Sequence, residues 1–226
     1  QQQQHIHILI TRVYLIMARI TACPAGKDFW TLNFQQVIEV NVDSFTSKIE
    51  ESGIIVPSET GVRSIIRYTL LGIPTKPTVS QDEFNLFLRR FGPFHRCLEK
   101  SAQSFFNSAE LQPWFHGSIS RSQAEEIVLA GSPGTFLVRF SEHHPTKFTL
   151  CYQKADGQLR NSLLHNLPDA GVGVEEGGGR FRHYAGVADF VARNGRALSR
   201  PCPSRLAAES ARRRRAHGGP AAAAGW

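Results

Sequence analysis

The segment 134–142 constrains the fold more than any other part of the sequence, because it places a charge inside an apolar strand. It reads Gly-Thr-Phe-Leu-Val-Arg-Phe-Ser-Glu, and the turn-forming pair Pro133-Gly134 introduces it. Side chains alternate between the two faces of a strand, so Arg139 shares a face with Leu137 and Ser141. An arginine among apolar neighbours is costly to bury unless an anion meets it. Arg139 is therefore either paired within the protein or part of a ligand-binding site.

The positive charge of the chain is concentrated at one end. A net charge of +7 over 226 residues would indicate a nucleic-acid partner if it were spread over the folded part. Residues 204–226, however, hold five arginines against Glu209, which leaves +3 for the rest of the chain. We expect 204–226 to be a disordered basic tail, and we do not expect nucleic acid as a partner. Nuclear import or docking on an anionic surface through residues 212–215 is the alternative.

The first 26 residues show no pattern of a folded domain. The apolar stretch 6–20 is interrupted by Arg12 and Arg19 and is too short to span a bilayer. We expect residues 1–26 to be a disordered lead or a gene-model artefact, with a targeting segment as the alternative. No membrane span is expected.

The cysteines point to a reducing compartment. They lie far apart in unlike contexts, and no pair has the spacing of metal ligands. We therefore expect free thiols and a cytoplasmic protein, with the nucleus as the alternative location. The four are Cys23, Cys97, Cys151 and Cys202.

Residues 28–112 carry apolar side chains at helical spacing, which predicts an all-α domain. The clearest helix start is the capping box from Ser80 to Glu83. Residues 40–45 and 79–84 also share the pattern Val-x-x-Asp-x-Phe. Each copy places a valine in a loop ahead of a helix start, as a pair of helix–loop–helix units requires.

These two units resemble a pair of EF-hands, and the resemblance implies that the loops pair at Val40 and Val79. If Glu83 closes a twelve-residue calcium loop over 72–83, none of the early ligand positions is a carboxylate. The first loop ends at Ser44 and lacks the bidentate glutamate. We therefore expect an EF-hand-like domain without calcium. The early positions of the second loop are Gly72, Pro74, Lys76, Thr78 and Ser80, and Pro77 stands where a glycine is needed.

From Pro113 onward the pattern changes to a helix, several antiparallel strands and a second helix. Ser120 is a plausible N-cap, with Gln123 three residues later. The expected strands are 134–142, 147–153, 159–167 and 171–176, and the second helix is expected over 184–194. This order predicts an α+β sandwich that ends near Pro203.

Three separate motifs follow one another in this part of the chain. They are Trp114-Phe115-His116-Gly117-Ser118-Ile119-Ser120-Arg121, then Ala124-Glu125, then 134–141. Together they resemble a Src homology 2 domain over 113–203. The resemblance implies a central antiparallel sheet flanked by two helices, and binding of a phosphotyrosine peptide. Arg139-Phe140-Ser141 resembles the STAT transcription factors. The upstream helices resemble the STAT linker and the module preceding this domain in Cbl-type ubiquitin ligases. That likeness implies that both parts form one rigid unit.

The candidate site follows from the chemistry of phosphotyrosine, which carries close to two negative charges and three acceptor oxygens. Arg139 supplies a planar fork that can bind two oxygens, and Ser141 lies on the same strand face. The turn 142–146 can offer backbone N–H groups. The candidate phosphotyrosine-binding residues are Arg139, Arg121, Ser141, Glu142, His143, Thr149 and Asn161.

Alternatives remain for several of these residues. Arg139 could form an internal ion pair with Glu142 or Glu125. Arg121 could be a solvated residue at a helix start, and the adjacent His143 and His144 could be exposed turn residues.

One strand departs from the common family pattern. Many relatives place a histidine, and two residues later a lysine, against the phosphotyrosine, whereas this chain has Asn161 and Leu163. Recognition of the phosphate would then depend more heavily on Arg139 and Arg121.

The sequence favours a binding module without catalysis or cofactor, whose partners are tyrosine-phosphorylated proteins or peptides in intracellular signalling. It has no kinase glycine loop, no Cys/His cluster for a zinc-bearing ligase domain and no recognisable DNA-binding element. The alternative is a fragment of a larger signalling protein. That protein would be a STAT-like transcription factor, or a kinase or ubiquitin ligase with an appended recognition domain.

Overall fold

The computed structural model describes residues 27–54, 60–72, 75–167 and 171–216. The expectations for the lead 1–26 with Cys23, for Pro74 and for the tail beyond residue 216 lie outside these ranges. Within them, no helix combines the length and apolar character needed to cross a membrane. Cys97, Cys151 and Cys202 are buried free thiols.

The N-terminal unit is helical, with two very short strands that link its halves. Its strands β1 (Glu39–Asn41) and β2 (Thr78–Ser80) run antiparallel, and Val40 lies opposite Val79 as predicted. Its helices are α1 (Lys27–Phe34), α2 (Val42–Glu51), α3 (Val62–Ile65, continued by a π-helical turn Ile66–Leu71), α4 (Gln81–Phe91) and α5 (Cys97–Phe105, preceded by a 3₁₀ turn Phe94–Arg96).

Local capping signals set where these helices begin. The Ser80 hydroxyl accepts a hydrogen bond from the Glu83 amide, and the Glu83 carboxylate accepts one from the Ser80 amide, so the predicted capping box is present. Helix α2 begins at Val42, because the Asn41 side chain caps it by accepting a hydrogen bond from the Asp43 amide.

The C-terminal unit is an antiparallel sheet with a helix on each face. The hairpin β3 (Phe106–Asn107) and β4 (Glu110–Leu111) lies between the two units as a separate two-stranded sheet. The elements that follow are α6 (Arg121–Leu129), β5 (Thr135–Phe140), β6 (Phe148–Gln153), β7 (Leu159–Leu167), β8 (Gly171–Glu175), β9 (Phe181–Tyr184), α7 (Val187–Arg193), β10 (Arg200–Pro201) and α8 (Arg205–Ala216). The six strands β5 to β10 form one sheet in the order β10-β5-β6-β7-β8-β9, in which the β10–β5 pair is parallel and the other pairs are antiparallel.

The two faces of the sheet belong to different apolar clusters. On one face, Leu137 and Cys151 pack with Ala124 and Val128 of α6. The other face joins the large cluster that also contains α7 and the helical unit. Helix α7 starts later than the predicted residue 184 because Tyr184 is the last residue of β9, where it pairs with Val172.

The helical unit and the sheet share one continuous aromatic core. The Phe105 ring of α5 stacks on Phe115 with their centroids 4.0 Å apart, and it meets Phe148 of β6 edge-on at 5.2 Å. Phe91 of α4 also lies 5.9 Å from Phe148. These contacts bury apolar surface from both units at once, so neither side of the junction is solvated.

The expectation of a disordered segment directly after residue 203 is wrong, because helix α8 forms there. The Ser204 hydroxyl accepts a hydrogen bond from the Ala207 amide and caps the helix. Leu206 packs tightly on Gly117, where an added Cβ would lie 2.7 Å from the leucine side chain. Arg214 also lies 3.7 Å from a Glu110 carboxylate oxygen. Tertiary contacts therefore hold a segment whose composition alone indicates disorder.

We predict that Phe105→Ala lowers the free energy of unfolding by about 3–5 kcal/mol, because it leaves a cavity at the junction of both units. Chemical denaturation followed by tryptophan fluorescence measures this change. Leu32→Ala is the control, since Leu32 is 55% exposed and its truncation should change stability by less than about 0.5 kcal/mol. Equal effects of the two substitutions would contradict a shared core.

Candidate functional site

The strand register brings the predicted site residues onto one face of the sheet. Arg139 of β5 lies opposite Thr149 of β6, which in turn lies opposite Leu163 of β7. In the same way, Asn161 of β7 lies opposite Cys151. Directly paired residues in a sheet share a face, so Arg139, Thr149 and Asn161 all lie on the face covered by α6.

Arg139 is almost fully buried, and its hydrogen bonding is incomplete. The side chain is 4% exposed, and Nη1 donates to the carbonyl of Phe140 at 3.0 Å. Nε has no hydrogen-bond partner among the residues that the structure describes. A buried donor without an acceptor destabilises the fold by about 1–3 kcal/mol, so this geometry favours an anion as the natural acceptor.

The internal ion pair considered for Arg139 is present only in a loose form. Its Nη1 lies 3.6 Å from Oε2 of Glu142, a side chain that is half exposed. The same carboxylate oxygen accepts a hydrogen bond from the Arg121 backbone amide at 2.8 Å. Glu142 therefore meets two donors that face the same region, the Arg139 fork and the first turn of α6.

The turn that follows β5 is closed by its own hydrogen bonds. The Ser141 hydroxyl accepts from the His144 amide at 3.2 Å, and the Lys147 amide donates to the His144 carbonyl at 2.8 Å. Ser141 and Thr149 are buried beside Arg139, while His143 and His144 are exposed. Two hydroxyls and a folded turn thus adjoin the guanidinium.

Arg121 and Asn161 meet at a glutamate that the sequence did not mark as central to the site. Oε1 of Glu125 accepts a hydrogen bond from Nε of Arg121 and another from Nδ2 of Asn161, both at 2.7 Å. The hydrogen bond from Arg121 is the main reason why the pKa of the Glu125 carboxyl is lowered. The sequence could have indicated the contact between Arg121 and Glu125, because the two residues stand at i and i+4 on a helix.

These groups together form a basic, hydrogen-bonding surface suited to an oxyanion. It offers one buried planar guanidinium, two hydroxyls and the amides of a tight turn. Two carboxylates, Glu125 and Glu142, lie beside these donors and partly balance their charge.

Comparison with known proteins identifies the C-terminal unit. Residues 114–178 match the SH2 domain, so the chain contains an SH2 domain over that segment. The chain is 43% identical over 90 residues to the hematopoietic SH2 domain-containing protein homolog of Danio rerio. It is 50% identical over 44 residues to the tyrosine-protein kinase csk-1 of Caenorhabditis elegans and 40% identical over 50 residues to the human SH2 domain-containing adapter protein D.

These similarities concern one domain and not whole proteins. The matched segments cover 40%, 20% and 22% of this chain, and 22%, 8% and 15% of the respective relatives. They therefore support the identity of the SH2 domain, and the family match over 114–178 does not include the helical unit.

We predict that Arg139→Met raises the free energy of unfolding of the unliganded chain by about 1 kcal/mol. The substitution replaces an incompletely bonded buried charge with an apolar side chain of similar length. Thermal and urea denaturation measure the change. Arg160→Met on β7 is the control, because Arg160 is exposed and its loss should be nearly neutral. A clear loss of stability in Arg139→Met would show that the guanidinium is satisfied within the fold.

Proposed function

We propose that this chain is a phosphotyrosine-binding module of intracellular signalling that acts without catalysis and recognises tyrosine-phosphorylated proteins or peptides. The observation that carries the proposal is the buried Arg139 guanidinium, whose Nε has no partner among the described residues and which lies beside the hydroxyls of Ser141 and Thr149. The SH2 domain identified over 114–178 supports the same function.

The depth of Arg139 suits a phosphotyrosine better than a carboxylate or a shorter phosphorylated side chain. The guanidinium is 4% exposed and lies on the face of the sheet that α6 covers. A long aromatic side chain can reach it while the peptide backbone stays outside. The phosphate brings close to two negative charges and three acceptor oxygens to a site where water is largely excluded. Two oxygens can engage the fork, and the third is available to the hydroxyls and the turn 142–146.

Binding requires the Glu142 carboxylate to give up its place between the donors. Its contact with Arg139 is long, at 3.6 Å, and its side chain is already half exposed. Release into water therefore costs little, and the phosphate offers more charge to both Arg139 and the Arg121 amide. Glu142 then contributes through its backbone, as part of the turn.

Arg121 and Asn161 contribute from the two sides of the ring. Release of the exposed Arg121 guanidinium from Glu125 would let it turn to the phosphate or the ring face. Asn161 and Leu163 lie on β7 and flank the same space. We place the SH2 domain at 113–203 and treat the exposed His143 and His144 as secondary contacts.

We also infer that residues 28–112 form an EF-hand-like domain that does not use calcium. The antiparallel pairing of Val40 with Val79 joins two helix starts and supports this likeness. The Lys76 ammonium lies 2.8 Å from both Glu83 oxygens and 3.5 Å from a Glu39 oxygen. An internal cation thus neutralises the carboxylate that would otherwise bind a metal. Within the described residues, no cluster of acidic, His or Cys side chains fits a metal ion.

We predict that Arg139→Lys weakens binding of a phosphotyrosine peptide by at least about 2 kcal/mol, because lysine keeps the charge but loses the bidentate fork. Isothermal titration calorimetry against a phosphotyrosine peptide library measures the affinity, and the unphosphorylated peptides serve as ligand controls. Arg160→Lys, at an exposed position of β7, is the matched control. Unchanged affinity of Arg139→Lys would rule out the assigned site.

We predict that calcium leaves the melting temperature of the chain unchanged, since Lys76 already neutralises Glu83. Differential scanning calorimetry with millimolar calcium, compared with magnesium and with a chelator, makes the measurement. A rise that depends on calcium concentration would show that the folded chain binds calcium and would contradict the proposal, because a ligand that binds the folded state stabilises it.

A further inference from the structure

A second arginine is buried behind the sheet, in the helical unit. Arg90 lies near the end of α4 and is 6% exposed, whereas its neighbour Arg89 is exposed. Charged side chains are rarely buried to this degree unless other groups hold them. The contacts of Arg90 therefore indicate what the side chain does.

The contacts of Arg90 lead directly to the candidate site. Nε donates a 2.7 Å hydrogen bond to the carbonyl oxygen of Pro145, which belongs to the turn 142–146. The guanidinium carbon lies 3.7 Å from the centroid of the Phe140 ring, a distance typical of a cation–π contact. Phe140 follows Arg139 on β5, so Arg90 touches both the strand and the turn that build the site.

A carbonyl and an aromatic ring compensate the charge of Arg90. Among the described residues, no carboxylate lies within ion-pairing distance of it. Burial, followed by repulsion from Arg89, lowers the pKa of the guanidinium to about 10. The Pro145 carbonyl and the Phe140 ring thus offset part of the cost of burying this cation. A movement of the turn away from Arg90 would remove the hydrogen bond to Pro145.

We propose that Arg90 is a positioning residue of the phosphotyrosine site, through which the helical unit fixes the turn 142–146 from behind. The inference rests on the proposed function of the SH2 domain. In a trans peptide the carbonyl oxygen and the following N–H point in opposite directions. With the Pro145 oxygen held by Arg90, the Thr146 N–H points away from the helical unit. A carbonyl that accepts from a cation also makes the N–H of its own peptide a stronger donor.

The junction between the two units would hold the turn 142–146 in one conformation before a ligand binds. A turn with only its own hydrogen bonds would sample several shapes, and a ligand would have to select one of them. A fixed turn presents its amides in advance. Removal of Arg90 should therefore weaken phosphate binding even though Arg90 itself lies on the opposite face of the sheet from Arg139.

The test compares Arg90→Met, Arg90→Lys and the control Arg89→Met in the full chain. A phosphotyrosine peptide that binds the native chain is titrated by calorimetry, and amide hydrogen exchange is followed by mass spectrometry. We expect Arg90→Met to weaken binding about tenfold, the scale of one lost hydrogen bond from a charged group. Arg90→Lys should lose less, and Arg89→Met should stay within about twofold. Exchange should rise across 142–147 in Arg90→Met and stay unchanged in α6.

Each outcome bears on one proposal or the other. Native-level affinity in a folded Arg90→Met, or unchanged exchange across 142–147, overturns the positioning role while leaving the SH2 function intact. Failure of the native chain to bind any phosphotyrosine peptide overturns the proposed function and this inference with it. If Arg90→Met does not fold, Arg90→Lys decides, because it keeps the charge but cannot lie flat on Phe140 while donating to Pro145. Native affinity and native exchange in that variant also overturn the role.

Discussion

The structure depends on how strand β5 holds two guanidinium groups near its end, one on each face. All six residues of β5 are buried, so every side chain on it must be matched by a neighbouring element. Arg139 points toward α6, and the next residue, Phe140, points the other way and carries Arg90 on its ring. Alternation along a strand therefore brings two buried cations to the same turn from opposite sides. The turn 142–146 lies between them and is the element on which the proposed site depends.

The register of β5 is fixed by the aromatic core and not by the site itself. A shift of one residue would move Arg139 into the apolar cluster and Phe140 into the site. The Phe140 ring lies 5.3 Å from Phe115, and Phe115 stacks on Phe105 of the helical unit. Because a shifted register would remove these ring contacts, packing against the helical unit favours the face that Arg139 occupies. The two units are thus coupled through the strand that carries the site.

Local rules predicted those parts of the structure that depend on local interactions. The capping box at Ser80, the pairing of Val40 with Val79, and the strand Leu159–Leu167 follow from short sequence patterns, and the structure has all three. Arg139 and Thr149 share a face of the sheet because side chains alternate along each strand and because β5 and β6 pair these two residues. Helix α8 could not be predicted, because its composition indicates disorder. Its stability comes from contacts with residues far earlier in the chain, such as Gly117 and Glu110, which approach it only in the folded structure. The link between Arg121, Glu125 and Asn161 likewise needs the approach of α6 to β7.

The two buried arginines differ in a way that separates a structural role from a binding role. Both are about 5% exposed, yet Nε of Arg90 donates at 2.7 Å and its plane lies on an aromatic ring, whereas Nε of Arg139 has no partner among the described residues. A fold that can satisfy one buried guanidinium from its own atoms has the means to satisfy another. Its incomplete satisfaction of Arg139 favours a ligand as the missing partner, since the destabilisation in the free state is recovered when an anion binds. A ligand of Arg139 would have to approach from the α6 side, because the helical unit and Arg90 occupy the other face.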